Sequence, residues 1–300
     1  MNMILATLKR LAIADGLRQP PAPYLPSGRD IRRYLLASLL AALPSLALAV
    51  YYFGPRILAM VAAAFSAIAA VEIAFGLIRR KTIGGGALVF AVLLVLILPP
   101  QIPLWMVAVG AAFGAFFGKE IFGGTGHHIF CPVLVAKGFL MFSYPQIVKG
   151  SYFASMLDFN PPDAWLICSA VILLGAAAMI IAKPANWLVL AGIFVAGTSL
   201  GLNLDIVGRL PFDTPLQMMA VDGFLYGACF LACDPACSPN TKTGKWLYGL
   251  LIGSVAVMMR CFSNYTEGMM SAVLIGNLFA PTIDALSRLN NSKRNEREEG

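Results

Sequence analysis

Apolar residues are gathered along this chain into ten stretches, separated by short connections rich in glycine, proline and polar residues. Most of these stretches approach the roughly 20 residues that a helix needs to cross a bilayer. The predicted spans are residues 34–53, 56–78, 84–99, 103–118, 131–145, 165–182, 186–204, 216–233, 243–262 and 266–284. The pattern therefore predicts an all-α polytopic membrane protein of about ten transmembrane helices.

Residues 84–99 and 131–145 are among the shortest of these spans, and both end in prolines. Short apolar segments interrupted by glycine and proline are typical of broken helices that surround a central site. We therefore expect broken or short helices around such a site.

Composition agrees with this class, because 59% of the 300 residues are hydrophobic and only 12% are charged. The mean hydropathy is +0.77, which excludes an ordinary soluble globular protein. The net charge of +7 arises from basic residues beside the spans, so no nucleic-acid partner is predicted and the partner is the lipid bilayer.

Basic residues also predict the orientation. With a cytoplasmic N-terminus, 17 lysines and arginines fall on the cytoplasmic side and 4 on the other, as the positive-inside rule requires. Both termini are then cytoplasmic. The predicted organisation is a cytoplasmic arm over residues 1–33, a ten-helix membrane domain over 34–284 and a charged cytoplasmic tail over 285–300.

A first polar connection, residues 118–132, reads GKEIFGGTGHHIFCP. Its glycines allow backbone amides to approach a planar or anionic group. It is neither a P-loop nor a dinucleotide-binding fingerprint. The candidate cofactor-binding residues here are Lys119, Gly123, Gly124, Thr125 and Gly126. The alternative is a glycine-rich turn that only packs two helices.

A second polar connection, within residues 232–246, reads ACDPACSPNTKTGKW. Asp234 ends one span and Thr243 begins the next, and both are candidate cofactor-binding residues, although an Asp-Pro pair is also an ordinary helix stop. Both connections fall on the same predicted face. Because irregular backbone at membrane depth needs protein or water around it, we expect them to share a cavity.

Ionisable residues inside spans are costly and usually face an internal pathway. Glu72, Lys137 and Asp222 are of this kind, and Glu267 and Asp284 lie near span ends. Each is a candidate for cation or proton handling, or alternatively belongs to a buried structural pair.

The histidines and cysteines give no metal site. His127 and His128 are adjacent, and neighbouring helical residues point about 100° apart, so they cannot easily bind one ion together. Cys229, Cys233 and Cys237 are spaced by four residues, which raises an iron–sulfur interpretation, but small buried apolar residues explain them better.

Several motifs together resemble the NqrB subunit of the sodium-translocating NADH:quinone reductase and its homologue, the RnfD subunit of the Rnf ferredoxin:NAD complex. They lie at residues 98–105, 118–126, 138–140, 143–145, 234–235, 240–241, 243–249, 267–270 and 277–281. The resemblance covers about residues 30–288. It implies a ten-helix electron-transfer subunit of a bacterial inner-membrane translocase, with flavin, iron–sulfur and other membrane subunits as partners and coupling to Na⁺ or H⁺ movement.

The resemblance also implies roles for particular residues. The glycine-rich connection would lie at the flavin and quinone end, and Glu120, Asp234 and Asp284 match acids of the cation path, to which Glu72 and Asp222 are added as acids inside spans. Cys131 stands where the family has asparagine, so contacts to a flavin at that point would differ.

The family's Ser-Gly-Ala-Thr motif, whose threonine carries FMN through a phosphoester, is missing from residues 146–164. Residues 221–229 echo it superficially, with cysteine in place of threonine, and residues 213–216 lack its Gly-Ala. The expected cofactor is therefore riboflavin or FMN bound noncovalently, without covalent FMN.

Three functions remain open from sequence. The first is the flavin-binding redox subunit, the second a channel or carrier for a cation or small polar solute, and the third a scaffold subunit that keeps the fold without redox chemistry.

Overall fold

The computed structural model describes residues 28–80, 85–148, 164–181, 186–208, 218–219, 223–262 and 268–298. These residues form ten helices, two of which continue as π-helical segments. The helices are α1 (Gly28–Phe53), α2 (Arg56–Arg79), α3 (Ala87–Val95), α4 (Leu104–Phe113, continued by the π segment Gly114–Glu120), α5 (Pro132–Ser143), α6 (Ala164–Ile181), α7 (Trp187–Ile206), α8 (Phe224–Tyr226, continued by the π segment Gly227–Ala232), α9 (Lys242–Phe262) and α10 (Gly268–Glu298).

Five of these helices are long and apolar enough to cross a membrane: α1, α2, α7, α9 and α10. Helices α5 and α6 are apolar but shorter, and α3 has only 9 residues. The protein is thus an all-α, multi-pass membrane protein in which long helices accompany short ones, as the interrupted pattern predicts.

Several helix pairs of the first half recur in the second half. Helix α2 packs on α4 as α7 packs on α9, and α4 packs on α5 as α9 packs on α10. The two halves are joined by contacts between α1 and α6 and between α5 and α10. The sequence carries no repeat strong enough to predict this correspondence, which is therefore a finding of the structure.

Each polar connection directly follows one of the π-helical segments. Such segments are rare and recur at functional sites. The predicted span 216–233 is correspondingly less regular than expected: Gly223 adopts φ 73°, three α-helical residues follow, and the π segment ends at Ala232.

An exposed arginine and a buried lysine stabilise the break between α3 and α4. Arg56 donates to the carbonyls of Pro100, Gln101 and Ile102 at 3.0–3.1 Å, and the buried Lys137 ammonium donates to the carbonyl of Ile97. Carbonyls at a helix end lack partners within the helix. These side chains therefore donate hydrogen bonds to carbonyl oxygens for which the apolar surroundings offer no donor.

The two polar connections lie at one end of the bundle, here called the site end. At this end α2, α4 and α8 finish, α5, α7 and α9 begin, and α10 passes with Asp284. Four contacts establish it: Lys119 with Glu72, His128 with Asp234, Asn186 with Ser238, and the Thr241 amide with Asp284.

Candidate functional site

Three glycines shape the connection between α4 and α5. Gly123, Gly124 and Gly126 have φ angles of 121°, 102° and 89°, a region that side chains with a Cβ rarely enter. Gly118 serves a different purpose, because a Cβ there would lie 2.7 Å from the Cα of Pro132. The glycines therefore turn the backbone sharply and bring the end of α4 against the start of α5.

The π segment of α4 ends in a buried charge cluster formed by Lys119, Glu72 and Glu120. The Lys119 ammonium donates to Glu72 of α2, and only 1% and 3% of the two side chains are exposed. Glu120 approaches the same ammonium at 4.0 Å. The Lys119 nitrogen also lies 5.1 Å from the centre of the Phe90 ring, within the range of a cation–π contact.

A second buried cluster joins the two connections to each other. His128 Nε2 lies 3.3 Å from Asp234 Oδ2, and each residue is 2% exposed. Cys237 Sγ lies 3.9 Å from the same carboxylate oxygen and 4.0 Å from the carbonyl of His128. The neighbouring His127 is exposed, so the two histidines do point apart.

A tight turn explains why Asp234 and Cys237 meet. The amide of Cys237 donates to the carbonyl of Asp234 at 3.2 Å, and Pro235 follows Asp234 as turns of this kind favour. The Ala236 amide donates to Asp234 Oδ1 at 2.9 Å, which fixes the carboxylate. Because the helix ends at Ala232, Cys237 does not lie on one helical face with Cys229 and Cys233, which the spacing of four residues would have allowed.

Cys237 lies outside the membrane-spanning helices, yet it is buried. Burial, followed by the negative charges of Asp234 and Cys131, raises the pKa of the Cys237 thiol well above its usual value. Desolvation disfavours a thiolate, and like charges add to the effect. Without a bound cation, the Cys237 side chain is therefore a neutral thiol at neutral pH.

Two buried polar atoms beside these clusters have no hydrogen-bond partner among the residues that the structure describes. They are the Thr125 hydroxyl and His128 Nδ1. Phe90 lies between the clusters, because its ring centre is 6.0 Å from that of His128 and 5.1 Å from the Lys119 nitrogen. Buried polar atoms are normally satisfied, so these two indicate a ligand or water.

A small apolar cavity of about 10 Å³ adjoins the charge cluster. Its walls include Phe90, Lys119 and Pro132. A cavity of this size holds about one water molecule, whereas pockets that enclose a whole drug-sized ligand usually have roughly 300–1,000 Å³. A ring system would therefore bind here only if the side chains around the cavity moved apart.

Asn277 of α10 supports the start of α5, a role that sequence reasoning missed. Its amide oxygen accepts from the Cys131 amide at 3.2 Å, and its nitrogen donates to the Tyr248 hydroxyl at 2.6 Å and to the Val273 carbonyl at 3.3 Å. Asn277 is fully buried. A polar residue in the middle of an apolar span was the available signal, because such a residue needs partners.

Asp284 has a local structural role at the start of α9. Its Oδ1 accepts from the amides of Asn240 and Thr241 at 3.2 and 2.9 Å, and its Oδ2 accepts from Arg288 at 2.9 Å. The Thr241 hydroxyl in turn accepts from the Gly244 amide at 3.1 Å, which caps the helix. Asp284 thus fixes the second connection.

The remaining sequence candidates are distributed as follows. Thr243 is exposed on the first turn of α9, unlike the buried residues of the two clusters. Cys131 is buried at the start of α5. Asp222 and Glu267 fall outside the described residues, and so do residues 149–163, most of the stretch in which the covalent FMN motif was sought.

Known proteins place this architecture in a family. Residues 19–293 match the NQR2, RnfD, RnfE family. The chain is similar to the B subunit of the Na(+)-translocating NADH-quinone reductase of Ectopseudomonas mendocina, with 34% identity over 260 residues. It is similar also to the proteins of the same name from Azotobacter vinelandii, at 34% over 263 residues, and Pseudomonas aeruginosa, at 33% over 260 residues.

In each case the match covers 74% of this chain and 64% of the relative, so the chain spans somewhat less than two thirds of the length of these relatives. The family match over residues 19–293 includes nearly all the described helices and both polar connections. On this evidence the chain belongs to the NQR2, RnfD, RnfE family.

Proposed function

We propose that this protein is a membrane-embedded electron-transfer subunit of an Nqr/Rnf-type oxidoreductase complex. It would bind riboflavin or FMN noncovalently at the site end and couple electron flow to the movement of Na⁺ or H⁺. Its partners would be the other membrane subunits and the iron–sulfur and flavin subunits of that complex, with a quinone as a further candidate at the same end. The site of action would be the bacterial inner membrane.

The observation that carries this proposal is the convergence of two irregular, polar connections on one buried region. Irregular backbone within a membrane protein is tolerated where it is buried in protein or lines a cavity. Here His128 of one connection contacts Asp234 of the other at 3.3 Å. The Thr125 hydroxyl and His128 Nδ1 beside them lack partners in the described residues, which suits a ligand with polar edges.

The residues present fit a flavin in chemical character. Thr125 and His128 would supply hydrogen bonds to polar ring atoms, and the backbone of Gly123, Gly124 and Gly126 allows close approach of a flat surface. Phe90 offers an aromatic surface. Bound flavin would supply one- and two-electron chemistry, whereas the protein orients the ring, excludes water and fixes the surrounding charge.

The positive charge of Lys119 would offset the negative charges around it during electron transfer. It lies against Glu72 and Glu120, so a cation that reached these carboxylates would compete with the ammonium group. Ionisable residues in such positions frequently mark ion pathways. We extend the proposed ion path to Asp234 and Asp284 at the same end, and to Asp222 from its sequence position.

Noncovalent attachment is part of the proposal, because the phosphoester-bearing threonine motif of the resembled family is missing from residues 146–164. Mass spectrometry of the intact chain should give the mass of the unmodified polypeptide. A flavin phosphate adduct on any threonine would contradict this part of the proposal.

The main experiment measures flavin in the purified membrane complex. Denaturation should release riboflavin or FMN in about stoichiometric amount, as measured by chromatography and fluorescence. The Thr125→Val variant should retain substantially less flavin, because it removes a buried hydroxyl while keeping the shape of the side chain. Thr198→Val is the matched control, since that hydroxyl bonds only to carbonyls of its own helix among the contacts observed.

A complex that assembles without flavin would overturn the proposed role. Equal flavin content in Thr125→Val and wild type would show that the Thr125 hydroxyl does not bind the flavin. Co-purification of redox partners with a flavin-free chain would instead support the scaffold function.

The alternative function is transport of a cation or small polar solute without redox chemistry. The buried charges of Glu72, Lys119 and Lys137 inside helices favour it, since transporters place such groups at the interfaces of broken helices. Flux of sodium or a small solute into liposomes that contain the chain alone, with no electron donor, would support the alternative over the redox function.

A further inference from the structure

We propose that His128, Asp234 and Cys237 form a binding site for a divalent transition metal ion of the zinc type. The three side chains offer one nitrogen, one oxygen and one sulfur atom that all lie within 4.8 Å of one another. They come from two connections that are 106 residues apart in sequence. The proposal does not depend on flavin binding.

The separations between the donor atoms suit one ion. Zinc binds histidine nitrogen and carboxylate oxygen at roughly 2.0–2.2 Å and thiolate sulfur at about 2.3 Å. In a tetrahedron, these bond lengths put neighbouring donors about 3.3–3.7 Å apart. The separation of 3.3 Å between His128 Nε2 and Asp234 Oδ2 matches this range, and that of 3.9 Å between Asp234 Oδ2 and Cys237 Sγ is slightly longer. Small side-chain rotations would therefore complete the geometry.

The backbone already orients two of the three ligands. The turn over residues 234–237 brings Asp234 and Cys237 to the same side, and the Ala236 amide holds Asp234 Oδ1 at 2.9 Å. This leaves Oδ2, the oxygen nearest to His128 and Cys237, as the ligand atom. Hydrogen bonds of this kind, which orient a metal ligand, are a regular feature of metal sites.

Burial and donor type favour a metal ion over a plain hydrogen-bonded pair. His128, Asp234 and Cys237 are only 1–2% exposed. A simple histidine–aspartate pair needs no thiol, whereas the sulfur here contributes only contacts of 3.9–4.0 Å to His128 and Asp234. A mixed nitrogen, oxygen and sulfur set suits a borderline-soft ion such as Zn²⁺ better than Mg²⁺ or Ca²⁺, which prefer oxygen ligands alone.

Three protein ligands leave a fourth tetrahedral position. Cys131 is buried three residues after His128, but its sulfur is not among the donor atoms that lie within 4.8 Å of one another. The fourth position is therefore left for a water molecule or another ligand, and the three side chains would join the two connections.

The experiment uses the full chain, purified in detergent with an affinity tag that contains no histidine. After treatment with a chelator and re-addition of Zn²⁺, the wild type should retain about one zinc per chain by elemental mass spectrometry. With Co²⁺ as the probe, it should show the visible absorption of a four-coordinate ion and a thiolate-to-cobalt charge-transfer band.

The decisive variant is Cys237→Ser, with Cys168→Ser as its matched control, because Cys168 is buried in α6 and outside the cluster. Changing a residue that only orients a ligand costs roughly 10–100-fold in affinity, so loss of the thiol should cost at least that much. The charge-transfer band should disappear in Cys237→Ser and persist in Cys168→Ser. His128→Gln provides a second ligand variant if Cys237→Ser is not monodisperse.

The absence of stoichiometric Zn²⁺ and Co²⁺ binding in the wild type would overturn the site, as would equal binding by Cys237→Ser. If the charge-transfer band disappears in Cys131→Ser but persists in Cys237→Ser, the sulfur ligand is Cys131 and the assignment of Cys237 is wrong. Flavin measured in the same samples reports separately on the proposed function, because a flavin-free chain that binds the metal would leave this inference intact.

Discussion

At the scale of single residues, the Lys119–Glu72 pair shows how much a buried charge depends on its partner. The two side chains are almost fully buried, and removing one partner of such a pair typically costs about 3–5 kcal/mol, because the other charge is left unpaired. Lys119→Met should therefore lower the thermal midpoint of the detergent-solubilised protein strongly.

The double variant Lys119→Met with Glu72→Met should recover most of that loss, since replacing both partners by apolar residues is often nearly neutral. Lys242→Met, at an exposed position, is the control and should have little effect. If the single and double variants are equally destabilised, the pair is not the source of the effect.

Asn277 gives a second prediction at this scale. Asn277→Leu keeps the volume but leaves the Tyr248 hydroxyl and the Cys131 amide without their partner. Unsatisfied buried groups cost roughly 1–3 kcal/mol each, so we expect a marked drop in the thermal midpoint. Asn203→Leu, on an exposed part of α7 where the amide bonds only the Ser199 carbonyl among its observed contacts, should change stability much less. Comparable losses in the two variants would count against the assigned role of Asn277.

At the scale of elements, the helices approach one another where glycines leave room. Helix α7 crosses α9 so closely that a Cβ at Gly249 would lie 2.4 Å from the Val189 carbonyl oxygen. Small residues at such crossings are typical of membrane helices, because they let the backbones pack directly. Glycines also let α4 pack closely on α5. Gly110, Gly114 and Gly118 face Leu140, Ala136 and Pro132 there.

Gly249→Ala should therefore be disruptive although alanine is the better helix former. The clash is with backbone, which cannot rotate away, and overpacking commonly costs about 1–3 kcal/mol. Gly138→Ala is the matched control, since its Cβ would meet only Leu274 at 3.7 Å, an ordinary contact. Thermal unfolding followed by size-exclusion chromatography distinguishes the two, and equal stability of both variants would show that α7 and α9 can separate without cost.

The geometry of the helix ends also determines where the charged side chains lie. Lys119 and Glu120 are neighbours in sequence, and both are buried because the end of α4 is π-helical. In the second half, the π segment of α8 ends at Ala232, and the following turn directs Asp234 and Cys237 toward His128. Two local departures from α-helical geometry therefore create the candidate site.

At the scale of the whole molecule, the distribution of basic residues predicts that both termini are cytoplasmic. A fluorescent protein fused to the C-terminus should fluoresce, and alkaline phosphatase fused there should be inactive. Phosphatase fused after residue 160, in the connection between α5 and α6, should be active. The reverse result at either position would contradict the predicted orientation.

Much of the architecture followed from the pattern of apolar residues. The positions of most helices, the short helices α3 and α5 and the all-α class agree with the sequence prediction, because burial in lipid requires long apolar stretches whose backbone is satisfied internally. The family was recognisable from the motifs at residues 118–126 and 234–249, since both runs occur together. His127 is exposed and His128 buried, but the helix geometry from which the sequence argument began does not apply, because neither residue lies in a helix.

The details of the site could not be derived in the same way. Sequence reasoning noted that Cys229, Cys233 and Cys237 could share a helical face and preferred to explain them as small buried residues; the helix ends before it reaches Cys237. It gave Asp284 a place on an ion path without seeing that Asp284 binds the amides at the start of α9. It also missed Asn277, whose partners lie on two other elements.

By itself, the sequence determined that this protein is a bundle of membrane helices with two polar interruptions, because hydropathy and the positions of glycine and proline act locally along the chain. Only the tertiary structure decided that Lys119 pairs with Glu72, that His128 meets Asp234 and Cys237, and that several helix pairs recur in the two halves. These contacts join residues up to 109 positions apart, and they depend on where helices end and on how closely glycines let them approach. Such quantities are set by packing in three dimensions, which no local pattern of residues encodes.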